Sequence, residues 1–288
     1  MGLSGSQENE ENVLENVRAL LPELRAAAAR TDALRHVPEE SVVALKKTGA
    51  FRLMQPARFG GLELGLDSLL RVSAEVGRAC GSTSWCVAVL AIHNWFLGLF
   101  PEEAQKEVWG ADPDAVLASV FASMGRARPE EGGFRLEGRW QFASGSDHGD
   151  WITVGAMVDH GTKLPLPDVR SFLVPRKDFR IEDTWHVAGL RGTGSKDVVI
   201  ENAHVPSHRI LNFAEAHCGK SPGSRINTSP LYRMPFASVL TMTLACPALG
   251  VARGMLENFC ERAAARTVLF GGAKQSEQSH SHIAISEA

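Results

Sequence analysis

His93 lies in SWCVAVLAIHNWFLGLF, Ser84 to Phe100, a run that is otherwise almost wholly apolar and rich in tryptophan. An imidazole titrates near neutral pH, so in dry surroundings it can accept or share a proton from a substrate hydroxyl. A lone buried histidine more often just satisfies a neighbour. A second segment, GRWQFASGSDHGDW, Gly138 to Trp151, sets two tryptophans and a phenylalanine beside small hydroxyl residues at strand spacing. That is an aromatic wall with hydrogen-bonding groups, as a flat heteroaromatic ligand requires, although a core strand followed by a serine-rich turn produces the same pattern.

Two further motifs carry less. GLRGTGSKDVVI, Gly189 to Ile200, has three glycines, but they precede a strand pattern instead of joining a strand to a helix, so a tight turn is favoured over a phosphate loop. No GxxxxGK[ST] motif is present. His280 and His282 are spaced to different faces of a helix with no adjacent acidic ligand, so no metal is expected.

The elements that must position these residues follow from periodicity. MGLSGSQENE, residues 1–10, reads as a mobile leader, and the next residues as an amphipathic helix. VPEESVVALKKTGAF has Pro38 at the start, Glu39 and Glu40 in the first turn, Lys46 and Lys47 in the last, and Gly49 as the stop. Helices are expected from Asp67 to Cys80, from Ser82 to Leu99 and after Pro101. The texture then changes to short alternating or β-branched runs, VLASVFAS, FRLEGRWQFASG, DWITVGAMV, RSFLVPR and KDVVIENAHVP, broken by Gly, Pro and Asp. Helical spacing returns near Pro230. The expected organisation is α+β, with helices over 11–112, a β domain over 113–212 and the start of a helical bundle over 213–288. The final helix has no stop signal before Ala288, so the bundle reads as incomplete.

Across the 288 residues, 44% are hydrophobic and 22% charged, and the net charge of −3 offers no basic field for nucleic acid or anionic membrane. Five cysteines without CxxC pairs, and no charged-then-apolar leader, fit reduced thiols in the cytoplasm. The apolar run around His93 is shorter than the ~20 residues that span a bilayer.

VPEESVVALKKTGAFRLMQPARFGGLE, GSTSWCVAVLAIHNW, EGRWQFASGSDHGDW and WHVAGLRGTGSKDVVIENAHVP together resemble the acyl-CoA dehydrogenase superfamily. More narrowly, they resemble the oxygenase components of two-component flavin monooxygenases that hydroxylate aromatic compounds. The resemblance implies an N-terminal helical domain, a central β-barrel-like domain and a C-terminal helical bundle, assembled as a homotetramer with flavin at a subunit junction. It implies reduced FMN or FAD as cofactor, O2 as co-substrate through a C4a-hydroperoxyflavin, and a small aromatic substrate. A separate NAD(P)H:flavin reductase is implied as well, because no nicotinamide fingerprint is present. By position in the motifs, His93, Trp95 and Ser119 would line the substrate pocket, and Ser144 would sit at flavin N5. Trp140 and Phe142 would wall the ring, and Arg266 would reach the flavin phosphates across a subunit interface. Two alternatives remain: an acyl-CoA dehydrogenase-like oxidoreductase, and a non-catalytic subunit lacking the last helices of the bundle.

Overall fold

The computed structural model describes residues 5–162, 165–267 and 274–287. Five helices come first: α1 (Gly5–Leu34), α2 (Glu39–Thr48), α3 (Leu66–Gly77), α4 (Gly81–Leu97) and α5 (Glu102–Trp109). Seven strands follow: β1 (Leu117–Glu130), β2 (Gly133–Ala143), β3 (Trp151–Val158), β4 (Val169–Pro175), β5 (Arg180–Glu182), β6 (Lys196–Pro206) and β7 (Ile210–Asn212). Three helices close the order: α6 (Phe213–His217), α7 (Phe236–Ala265) and α8 (Ser279–Ser286).

The punctuation of α2 holds: Pro38 caps the start, and Gly49 ends the helix at φ 85°, a left-handed conformation that glycine adopts without a steric penalty. The expected leader does not hold for residues 5–10, which already belong to α1. Glu10 explains this, because its carboxylate accepts from Ser68 Oγ at 3.0 Å and pairs with Arg71, tying the first turns of α1 to α3.

The strands form one mixed sheet in the order β5-β6-β2-β1-β3-β4-β7, in which β1 and β3 run parallel and the other neighbours antiparallel. The sheet curls on itself, since Phe134 of β2 meets Phe172 of β4 with ring centroids 5.8 Å apart although β1 and β3 lie between them in the order. Strand alternation divides two cores. Ala118, Val120, Ile152, Val154, Phe172 and Val174 point into the curl, while Leu117, Phe121 and Leu173 join the core built by the helices.

Helix α4 is apolar all round and is buried between that sheet face and its neighbours. Helix α7 is long and apolar enough to cross a bilayer, but it packs on α3 and α4. It approaches α3 so closely that a Cβ on Gly77 would lie 2.8 Å from the Gly250 Cα.

Candidate active site

The sequence His93-Asn94-Trp95 makes α4 a hub. Successive helical residues point about 100° apart, so three neighbours reach three different elements. His93 Nδ1–H donates to the Leu117 carbonyl of β1 at 2.9 Å, Asn94 Nδ2 donates to the Phe51 carbonyl at 2.9 Å, and Trp95 Nε1 donates to the Leu231 carbonyl at 3.0 Å. The imidazole is 3% exposed, and burial pushes its pKa down to about 4. It is therefore neutral at pH 7, below the titration range expected from sequence. With Nδ1 protonated, Nε2 carries a lone pair, and it has no hydrogen-bond partner among the described residues. That nitrogen can accept a hydrogen bond from a hydroxyl.

His93 faces an aromatic box. Its ring meets Phe121 edge-on at 5.5 Å, and Phe121 in turn packs on Phe96 at 4.9 Å, Phe236 at 4.8 Å and Phe213 at 6.4 Å. Ser119 lies two residues before Phe121 on the same strand, and its buried hydroxyl bonds to Thr153 Oγ1 of β3, its register partner. A hydroxyl pair and a bare imidazole nitrogen are thus set against phenylalanine rings.

The N-terminal half of the same helix meets the end of β2. Trp85 Nε1 donates to Ser144 Oγ at 3.0 Å, and Ser144 Oγ lies 2.7 Å from Ser195 Oγ, which lies 2.7 Å from Thr193 Oγ1. Ser144 is 9% exposed. The register of β2 on β6 slips between Trp140 and Ala143, and within that bulge Phe142 adopts φ 65°, left-handed and strained for a phenylalanine. The bulge turns Phe142 outward to 66% exposure, edge-on to Trp185 with centroids 6.1 Å apart. An exposed ring held in a strained conformation beside a buried hydroxyl is a ready surface for a flat ligand.

The structure sets His93 and Ser119 on the facing sides of α4 and β1, and joins Ser144 to the same helix two turns away through Trp85, with Phe142 two residues before it on β2. It does not bring Trp140 or Arg266 to either place, and Trp95 meets the box through Phe236 and not beside His93. Trp140 is wholly buried inside the curled sheet, where its Nε1 donates to the Gly155 carbonyl at 2.7 Å. Trp95 lies on another side of α4, stacked 6.5 Å from Phe236 and fully buried. Arg266 is exposed at the end of α7, bordering a cleft of about 350 Å³ with Arg262, Asn258 and Gln275. Three larger clefts among the described residues, about 650 Å³ along α7, about 660 Å³ at the rim of β1 and β3 and about 620 Å³ between α1 and α7, are lined by neither His93 nor Ser144. Trp85, Phe121, Thr153, Thr193, Ser195 and Phe236 were not singled out from sequence. Trp85 and His93 recur eight residues apart on an apolar helix, which hinted at a shared side; the others come together only through strand pairing.

Family models for the N-terminal and C-terminal domains of acyl-CoA dehydrogenases match residues 7–112 and 242–288. The chain is 40% identical over 278 residues to HsaA, the oxygenase subunit of a flavin-dependent monooxygenase from Rhodococcus jostii (strain RHA1), a match covering 96% of this chain and 72% of that protein. It is 36% identical over 270 residues to the oxygenase component of an FADH(2)-dependent resorcinol hydroxylase from Rhizobium sp. (strain MTP-10005), covering 92% of this chain and 66% of the relative. The crystal structure of 3-HSA hydroxylase from Rhodococcus sp. RHA1 matches with a TM-score of 0.89 at 39% identity, covering 96% of this chain and 70% of that one.

Proposed function

The chain belongs to the acyl-CoA dehydrogenase family, in its branch of flavin-dependent monooxygenase oxygenase components, and from that premise we propose that it hydroxylates a small aromatic molecule with reduced flavin and O2. The observation that carries the reading is Ser144, a buried hydroxyl anchored by Trp85 and Ser195 beside the outward-turned ring of Phe142. Bound reduced FMN or FAD supplies the two electrons that activate O2. Ser144 would accept the N5–H of that flavin, and Phe142 with Trp185 would cover its ring. Helical rise separates Trp85 from His93 by about 12 Å, so the flavin-side hydroxyl and the substrate-side imidazole follow one another along α4.

His93 then acts on the substrate. A neutral imidazole accepts the phenolic O–H through Nε2, raising electron density on the ring that is to be oxygenated. Ser119 and Thr153 offer the second hydrogen bond that fixes the ring's orientation. Phe96, Phe121, Phe213 and Phe236 exclude water, which protects a reactive oxygen species from wasteful release as peroxide. With reduced flavin bound, its two electrons and two protons would balance the reaction, one oxygen atom of O2 entering the product and the other leaving as water.

The relatives' names, oxygenase subunit and oxygenase component, support a separate flavin reductase as partner. Met242, Leu249, Met255 and Phe259 leave α7 with exposed apolar side chains, which supports assembly with further copies of the chain, taken in this reading to be a homotetramer. In such an assembly Arg266 would meet the flavin phosphates of a neighbouring subunit. A cytoplasmic location and no nucleic-acid or membrane partner belong to the same reading.

The test supplies the purified protein with a flavin reductase, NADH, FAD or FMN, and a panel of phenols, and measures hydroxylated product against hydrogen peroxide. The reading expects product from at least one phenol. Peroxide alone across the panel, or turnover of an acyl-CoA thioester with an electron acceptor, would overturn it.

A further inference from the structure

The hydroxyls around Ser144 form a chain whose direction is fixed by its ends. Thr193 Oγ1 lies 2.9 Å from the Leu190 carbonyl, which can only accept, so the single hydroxyl proton of Thr193 is committed there. The 2.7 Å contact between Thr193 and Ser195 then needs Ser195 to donate, and the 2.7 Å contact between Ser195 and Ser144 needs Ser144 to donate. At the other end, the Trp85 indole can only donate, and it occupies one lone pair of Ser144 Oγ at 3.0 Å. Ser144 keeps one lone pair and no free proton.

We propose that Trp85, Ser195 and Thr193 are positioning residues that hold Ser144 as a hydrogen-bond acceptor only, so that the site distinguishes reduced flavin, whose N5 bears a hydrogen, from oxidised flavin, whose N5 bears a lone pair. The proposal rests on the functional reading above. Its anchor is built into the backbone: Leu190 adopts φ 52°, and its carbonyl is shared among the Thr193 hydroxyl, the Thr193 N–H at 3.1 Å and Trp185 Nε1–H at 3.2 Å, the hydroxyl contact being the shortest of the three. The Thr193 carbonyl in turn takes the Gly145 N–H at 2.9 Å, locking the two loops together. Ser195 and Thr193 are buried, so bulk water does not supply alternative partners.

Reversing the chain means turning three protons together and giving up the Thr193 bond to Leu190. One neutral hydrogen bond is lost, so the discrimination it provides is about tenfold and not absolute.

Anaerobic titrations of the protein with reduced and with oxidised flavin, read by absorbance and fluorescence, give the ratio of the dissociation constant for oxidised flavin to that for reduced flavin. Thr193→Val frees the Ser195 proton and is expected to lower that ratio by about tenfold, while Thr193→Ser preserves it. Ser195→Ala breaks the chain one step closer, and is expected to lower the ratio in the same way should Thr193→Val fail to fold. Equal weakening of both forms in Thr193→Val, or an unchanged ratio in both chain-breaking variants, would overturn the proposal. If Ser144→Ala alone changes the ratio, flavin does sit at Ser144 and only the relay is wrong. If wild type binds neither form, or Ser144→Ala leaves both constants unchanged, the functional reading fails and the proposal with it.

Discussion

His93 donates its Nδ1–H to the carbonyl of Leu117 at 2.9 Å, and this one bond joins the central helix to the first strand while fixing which imidazole nitrogen is left bare. Burial keeps the ring neutral until about pH 4, whereas an unfolded chain takes up the proton near 6.5. The unfolded state thus binds more protons between those values, so the contribution is fully present above 6.5 and is lost as pH falls toward 4. The shift corresponds to at most ~3 kcal/mol. His148, whose pKa burial also lowers, adds in the same direction. Urea midpoints measured from pH 7.5 to 4.5 should fall steadily, and His93→Gln should fall less steeply; parallel curves would assign the acid sensitivity to other groups.

Phe142 carries backbone strain for the sake of an exposed ring. Phe142→Gly should raise stability by up to ~1 kcal/mol, because glycine adopts φ 65° freely and little packing is lost. The same variant should bind reduced flavin about tenfold more weakly, since the ring that covers the isoalloxazine is gone. Denaturant melts paired with flavin titrations separate the two effects, and loss of stability would mean that the ring packs more than its exposure indicates.

Trp140 behaves as a packing residue. A Cβ on Gly125 would lie 2.1 Å from Trp140 Cζ2, so Gly125→Ala should destabilise by about 1–3 kcal/mol or more through overpacking. Trp140→Phe loses the bond to Gly155 and part of the ring, and should likewise melt earlier while the folded fraction keeps its flavin affinity. A selective loss of flavin binding would return Trp140 to the cofactor site.

Ser119 and Thr153 should act on substrate alone. Ser119→Ala or Thr153→Val is expected to raise the KM for a phenol roughly threefold to tenfold, with no change in the dissociation constant for reduced flavin. Equal changes in both quantities would place the pair elsewhere in the cycle.

The features legible in the sequence were those with a local cause. Helix α2 was readable because Pro38 and Gly49 act on their own turns. The apolar run of α4 was readable because a helix buried on all sides has no polar face. Pairing Trp140 with Phe142 as two walls of one site fails for a definite reason: residues two apart share a face in a regular strand, but the bulge between Trp140 and Ala143 breaks that period, burying Trp140 and turning Phe142 outward. Trp95 is set apart from His93 because two residues along a helix turn through about 200°, so it meets the box through Phe236. The chain from Ser144 to Ser195 and Thr193 spans dozens of residues in sequence and exists only because β2 pairs with β6. Nothing local signals it.

The most direct measurement mixes the protein, preloaded anaerobically with reduced flavin and a phenol it turns over, with 18O-labelled O2 in a single turnover. One labelled atom should appear in the product for most flavins oxidised, Ser144→Ala should divert the oxygen to peroxide, and His93→Ala should bind flavin normally yet form little product. Full product yield in both variants would contradict the assignment of oxygen transfer to the space between these two residues.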